Sequence, residues 1–407
     1  MLTYLRTSGY NINNVFLYLV KIVYNMRIVD LFSGAGGLTF GFYYKKVNNR
    51  FVKNPKWHIV FANEWDQQAA KAFSLNFPSV TMINKDIKNL SEEEILEYMG
   101  QKTVDLIIGG PPCQSYSTIG KRKYDDKARL YEEYYRILSI VKPKMFLFEN
   151  VKGMLSMKNT YGGLVIDDIR DKFESINYDI SYKVLDAADY GVPQHRERVF
   201  IIGQRKGLNI SWNFDNIKKV SKQITVKQAI DDLPPVYGNK PVSSYQESSP
   251  ATNEYQSLMR GQNKQLTGHF SSLYGEKMQT IINNVVQGEG KDYINSLVDK
   301  GILDKKYRLT SGYKNTYGRL IENLPCTTIT NNMSTPSGLR CIHYRENRAL
   351  TPREGARIQS FPDWFQFSGC KENITTQIGN AVPPLLAMKI AEELENILDT
   401  IDGKYPK

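Results

Sequence analysis

From Met26 to about Arg205, short β-rich apolar runs alternate with longer stretches whose apolar positions recur at helical spacing, and this alternation narrows the fold more than any other feature. The strand-like runs are "RIVDLF", "HIVFAN", "VTMIN", "VDLIIGG" and "MFLFEN"; "DQQAAKAFSLNF" and "LYEEYYRILSIV" carry the helical pattern between them. Continuous apolar strands separated by helices read as a parallel sheet covered on both faces, the doubly wound α/β class. A last pair, "ISYKVLDAADYG" and "RVFIIGQR", is joined too briefly for a crossover helix and is expected to be antiparallel.

After Arg205 the pattern stops. Residues 206–345 are rich in Lys, Asn, Ser, Gln and Tyr, broken by Gly and Pro, and show no βα alternation. Regularity returns in "TPREGARIQSFP" and in "NAVPPLLAMKIAEELENIL", an amphipathic stretch long enough to pack back on the first domain. The expected organisation is an N-terminal extension over 1–25, a sheet domain over 26–205, a small domain over 206–374 and a returning C-terminal segment over 375–407. The extension holds "NVFLYLVKIVY", which Lys21 interrupts and which is too short to span a bilayer. Because Met26 opens a strand that can begin the domain unaided, translation from Met26, or a dispensable extension, is the expectation.

The chain has 407 residues, enough for a large core, and a net charge of +11, which favours a polyanionic partner but equally fits a soluble protein with a basic bias. Its four cysteines, Cys113, Cys326, Cys341 and Cys370, contain no C-x-x-C pair, and its four histidines show no ligand spacing, which argues against a metal site. Few cysteines and no cleavable signal fit a reducing cytoplasm, where thiols stay available for chemistry.

Ligands of open α/β sheets bind beyond the carboxyl ends of the strands. There the first strand runs into "DLFSGAGGLTFGF", where Gly34, Gly36 and Gly37 make a tight turn, and Thr39 breaks the dinucleotide fingerprint. The second ends in "ANEWD", placing Glu64 for ribose hydroxyls and Trp65 for an adenine ring. The third ends in "NKDI", placing Asp86 for an adenine amino group beside Ile87. Either carboxylate alone is more often a helix cap; three motifs at successive strand ends describe a nucleoside pocket without a phosphate clamp. The fourth strand leads into "GGPPCQSYS" with Cys113, and the fifth ends at Glu149 and Asn150. A buried inert cysteine is the ordinary alternative, but two prolines and a polar flank suit a thiol held toward a ligand. In "QHRER", Arg196 and Arg198 alternate, so both are expected to face one cleft.

The ordered series "DLFSGAGG", "ANEWD", "NKDI", "GGPPCQSYS", "ENVKG", "QHRERVF", "LTPREGARIQSFP" and "QIGNAVPP" resembles the motif set of the DNA (cytosine-5)-methyltransferases from Met26 to the last helix, sparing only the variable middle. The resemblance implies a Rossmann-like fold dependent on S-adenosylmethionine, with an inserted target-recognition region at about 206–345. It implies Cys113 as a nucleophile that adds to carbon 6 of a flipped-out cytosine, Glu149 as the group protonating ring nitrogen 3, and Arg198, with Arg196 beside it, at the O2 oxygen. By the same matching, the cofactor contacts Phe32, Gly34, Gly36, Glu64, Trp65, Asp86, Ile87, Pro112, Asn380 and Val382. DNA meets Gln114, Ser117, Lys121, Arg122 and Lys123 in the loop after the nucleophile, and Thr327 and Thr328 in "LPCTTITNN". The implied partners are double-stranded DNA and a cognate restriction endonuclease. No metal and no membrane enter.

Three other readings compete. A tRNA cytosine-5 methyltransferase shares the core motifs, but the size of the variable region favours reading of base edges. An amino-methyltransferase would need an Asp/Asn-Pro-Pro-aromatic tetrapeptide, which is absent from the sequence. A catalytically dead DNA-binding relative would not be expected to keep Cys113, Glu149, Arg196 and Arg198.

Overall fold

The computed structural model describes residues 26–100, 102–112, 129–208, 211–246 and 249–401. Seven strands make one sheet: β1 (Met26–Leu31), β4 (Trp57–Glu64), β5 (Thr81–Asn84), β6 (Leu106–Gly109), β7 (Met145–Val151), β8 (Tyr178–Asp186) and β9 (Glu197–Arg205). Their order is β5-β4-β1-β6-β7-β9-β8; the first five are parallel, and β9 is antiparallel to both β7 and β8. The strand order therefore reverses between β1 and β6, which opens a crevice at their carboxyl ends. The sequence pattern does not single out the separate hairpin of β2 (Tyr44–Val47) and β3 (Arg50–Lys53), whose turn residues Asn48 and Asn49 both have positive φ.

Strand alternation divides the core between the two faces. One face sends Val29, Leu31, Ile107, Phe146 and Phe148 against α3 (Glu92–Met99), α4 (Tyr131–Val141) and α5 (Val165–Ser175). In α4 the buried positions Tyr131, Tyr134, Ile137, Leu138 and Val141 follow the helical repeat, and the Tyr134 hydroxyl donates to Ile107 O and Leu147 O. The other face sends Ile28, Ile59, Leu106, Ile108 and Leu147 against α1 (Gly37–Tyr43), α2 (Gln67–Asn76) and α12 (Pro384–Ile401). Each such buried side chain contributes about 1.5–3 kcal/mol.

No sheet strand comes from the described residues after Arg205. The short helices there are α6 (Val226–Ile230), α7 (Glu254–Arg260), α8 (Glu276–Asn284), α9 (Lys291–Asp299), α10 (Pro352–Ile358) and α11 (Lys371–Asn380). Val226, Leu258, Leu320, Ile329, Leu350 and Ile358 belong to the same apolar cluster as Ile28 and Leu106, so the irregular segment shares the core of one sheet face. Ile282 of α8, Val285 just after it, and Ile294 and Leu297 of α9 belong to a separate small cluster. The final helix begins at Pro384 rather than at Asn380, because the paired prolines Pro383 and Pro384 suit a helix start and not its interior.

Candidate active site

Strand register assembles the site. Leu31 is level with Asn63 on β4 and with Gly109 on β6, and Gly109 is level with Phe148 on β7. One step further, Phe32, Glu64, Gly110 and Glu149 therefore stand side by side on the carboxyl edge. They line a cleft of about 1550 Å³, together with Trp65, Asp86, Ile87, Pro112, Arg198, Thr327, Thr328, Asn380 and Val382.

At the β1 end, Phe32 and Gly34 take positive φ, and the Gly34 N–H donates to Glu64 Oε2 at 2.8 Å. The other Glu64 oxygen accepts from the Asp66 N–H at 2.8 Å. Burial raises the Glu64 carboxyl above its ordinary range, against the pull of these backbone donors. Asp86 does both things the sequence allows: it caps Lys88 N–H at 3.0 Å and lines the cleft. Trp65 is 69% exposed, leaving its indole face available. A Cβ on Gly34 would meet nothing within 4 Å, so the turn is open toward the cleft. Carboxylates, an exposed indole and the apolar Phe32, Ile87 and Val382 fit an adenosine, and no cation of the glycine turn offers a phosphate clamp.

Gly36 shapes the turn at the start of α1. It does not line the cleft; it precedes α1 with φ +96°, and a Cβ there would sit 2.3 Å from the Phe77 ring. Its neighbour Gly37 does line the cleft and lies against the Val382 carbonyl, where a Cβ would come within 2.4 Å.

At the catalytic end, Glu149 is paired with Phe200 and Val151 with Arg198 across β7 and β9. Alternation puts Glu149 and Arg198 on one face as diagonal neighbours, and Arg198 Nε lies 3.2 Å from Glu149 Oε1. Gly110 makes room for that carboxyl, since a Cβ would be 2.8 Å from Glu149 Oε2. Burial raises the Glu149 carboxyl above its ordinary range, with Arg198 and then Arg196 opposing the shift. Asn150 braces the Pro-Pro turn through a 3.3 Å bond to Pro111 O. Pro112 is the last described residue before the expected nucleophile; Cys113, Gln114, Ser117, Lys121, Arg122 and Lys123 lie outside the described residues. Cys326 and Cys341 are buried, with burial pushing both thiols up to about 12, which makes them poor nucleophiles.

Arg196 is held differently from Arg198. It borders the cleft, but its side chain is buried and donates to Ile329 O at 3.0 Å and Gly379 O at 2.9 Å. The reason is that Arg196 precedes β9 and lies where residues 193–196 are zipped to the "LPCTTITNN" segment. Cys326 N–H donates to Pro193 O, His195 N–H to Cys326 O and Ile329 N–H to Gln194 Oε1. Thr327 and Thr328 line the cleft on this segment. Among the described residues, no group of three or more His, Cys, Asp or Glu is arranged for a metal ion, and no helix is long and apolar enough to cross a membrane.

The family model for C-5 cytosine-specific DNA methylase matches residues 26–396. The chain belongs to the C-5 cytosine-specific DNA methylases. Type II methyltransferase M.DdeI of Desulfomicrobium norvegicum is 33% identical, across 93% of this chain and 90% of the relative. M.FnuDI of Fusobacterium nucleatum is 34% identical across 92% and 95%. A solved structure described as a DNA modification methyltransferase encoded within an E. coli prophage superposes with a TM-score of 0.71 at 28% identity, covering 92% of this chain and all of that one. The S. pombe Dnmt2 methyltransferase, at 16% identity, TM-score 0.54 and coverage of 91% and 99%, shares the fold. This methylase thus has the Rossmann-like fold of S-adenosylmethionine-dependent enzymes and transfers a methyl group to carbon 5 of cytosine in DNA, by the thiol adduct and base extrusion general to its family.

Proposed function

We propose that Cys113, Glu149 and Arg198 carry this chemistry on a cytosine extruded from a specific double-stranded DNA site. The observation that carries the assignment is the Glu149–Arg198 pair at the cleft edge, one strand over from the one that leads to Cys113. Carbon 5 of cytosine is too electron-poor to attack a methyl group. Addition of the Cys113 thiolate at carbon 6 opens the 5,6 double bond, and a proton from Glu149 to nitrogen 3 keeps the released electron pair as a neutral enamine. A carboxyl whose pKa burial raises suits this task, and Arg198 offsets charge at O2. When bound, S-adenosylmethionine supplies an electrophilic methyl carbon on a sulfonium. Loss of the carbon 5 proton to solvent water then re-forms the double bond and expels the thiolate, while nitrogen 3 returns its proton to Glu149.

In this reading Phe32, Gly34, Glu64, Trp65, Asp86, Ile87, Pro112, Asn380 and Val382 hold the cofactor, and no metal takes part. Residues from about 206 to 345 present target-reading groups, with Thr327 and Thr328 at the cleft. Gln114, Ser117, Lys121, Arg122 and Lys123 meet the DNA. A cognate restriction endonuclease sharing the site and a cytoplasmic location beside the DNA complete the reading, supported by the type II names of the relatives.

The test pairs two measurements. Cys113→Ser is expected to abolish methylation, scored by bisulfite sequencing of DNA from expressing cells, while still binding duplex. A duplex with 5-fluorocytosine at the target should trap the wild type covalently, because fluorine blocks the final elimination. Undiminished turnover by Cys113→Ser overturns the assignment.

A further inference from the structure

The cleft wall beside Arg198 carries a histidine that the chemistry above does not use. His195 is fixed at three points: its N–H donates to Cys326 O at 2.8 Å, its carbonyl accepts the Thr328 hydroxyl at 2.8 Å, and its Nδ1 lies 2.7 Å from Asp186 Oδ2. Asp186 is itself anchored, its other oxygen accepting from Arg196 N–H at 2.9 Å and Ala188 N–H at 3.2 Å. The histidine side chain is nevertheless 51% exposed and lines the cleft, and Nε2 has no partner among the described residues. A ring held this firmly with one nitrogen left toward the cleft has the form of a binding group.

We propose that the Asp186–His195 pair is a phosphodiester subsite, in which Nε2–H donates to a phosphate flanking the extruded nucleotide. The inference rests on the reading that Arg198 faces O2. On a cytosine, O2 is carried by carbon 2, which is bonded to nitrogen 1, and nitrogen 1 carries the sugar. The wall next to Arg198 therefore faces deoxyribose and phosphate. Thr328, a second hydroxyl on that wall, has committed its hydrogen to the His195 carbonyl and offers an anion only lone pairs. Besides Asp186, Glu197 is engaged with Lys152 at 3.0 Å through both oxygens, and Asp189 with Lys219 at 2.8 Å. The ring stands with Asp186 behind it and the phosphate position in front, and contacts of this kind fix register on the duplex without reading sequence.

The experiment uses the full chain as wild type, His195→Ala and His195→Gln, with duplexes carrying one neutral methylphosphonate on either side of the target cytosine. His195→Ala is expected to raise KM for DNA about 3- to 10-fold with kcat within about 2-fold. The slope of log affinity against log salt should fall by roughly 0.9, the value for one lost phosphate contact. The methylphosphonate at the contacted position should weaken the wild type by a similar factor and leave His195→Ala no weaker. His195→Gln, an uncharged donor, should recover part of the affinity without the salt slope. An unchanged slope, or a full methylphosphonate penalty in His195→Ala, overturns the subsite. Failure of the catalytic reading shows up elsewhere, in turnover by Cys113→Ser, since the methylphosphonate comparison reads binding alone.

Discussion

Burial of carboxyl groups is how this methylase tunes protons near its cleft. Glu149 and Glu64 are both raised by desolvation, and behind them Asp30, fully buried on β1, is pushed up to about 8. One Asp30 oxygen accepts from the Thr39 hydroxyl on α1, and the other has no hydrogen-bond partner among the described residues. Burial thus favours the neutral acid at Asp30, which ties β1 to the helix after the glycine turn. The sign follows from linkage. A carboxyl whose folded pKa lies above its unfolded value, about 4, contributes stability that is complete below that value and is lost as pH rises toward the folded one. Asp30→Asn keeps an acceptor for Thr39 and removes the proton loss. The difference in Tm, variant minus wild type, should therefore climb from pH 5 to about pH 8 and level off above it, as read by differential scanning fluorimetry. A difference independent of pH would mean that Asp30 is already ionised in the folded protein.

At the level of elements, two glycines of α1 let the returning C-terminal segment approach closely. A Cβ on Gly41 would lie 2.3 Å from the Ala387 carbonyl carbon, and on Gly37 2.4 Å from Val382 O. Backbone cannot yield as a flexible side chain would, so either alanine must push the returning segment off the sheet domain. Gly41→Ala is expected to cost about 1–3 kcal/mol in urea unfolding. Gly37→Ala should add a loss of cofactor affinity, because Val382 lines the cleft, and titration calorimetry separates the two effects. These glycines show what could and could not be read in advance. The strand ends were legible because apolar run length and polar punctuation locate them, and parallel register then aligns Glu64 with Glu149. "SGAGGLTFG" reads as one glycine-rich turn, yet Gly34 opens on the cleft, Gly36 makes way for Phe77, and Gly37 and Gly41 make way for Val382 and Ala387, far along the chain. Only the tertiary neighbour distinguishes these uses. Arg196 shows the same limit: it borders the cleft, but it stands just before β9, where Gln194 pairs with Cys326, and its guanidinium also reaches carbonyls of the C-terminal half that no local pattern announces.

Across the whole molecule, the segment "LTPREGARIQSFP" proves to be a hub of buried charge rather than part of the cleft. Thr351 and Glu354 form a capping box with Pro352 at the start of α10, and Glu354 receives two bonds from Arg348 at 2.7 and 2.8 Å. Arg353 donates to Thr267 O, Pro362 O and Phe365 O. Arg357, fully buried, binds Asp232 and Asp363 at 2.7 Å each and also donates to Ala229 O. These bonds join α6, the 245–267 region and the approach to α11, all within the apolar cluster that continues onto the sheet. A buried ion pair is weak support when compared with a well-packed apolar substitute, but removing one partner strands the other in a dry interior. Arg357→Met leaves two buried carboxylates facing each other and should cost about 3–5 kcal/mol. Adding Asp232→Asn and Asp363→Asn to Arg357→Met should restore a substantial part of that loss. Because the irregular segment and the sheet share one core, urea unfolding followed by tryptophan fluorescence and by far-UV circular dichroism should move together in Arg357→Met, in one transition at lower midpoint. Two separated transitions, with the sheet retaining its wild-type midpoint, would show that the inserted region melts on its own and that the hub does not couple it to the catalytic fold.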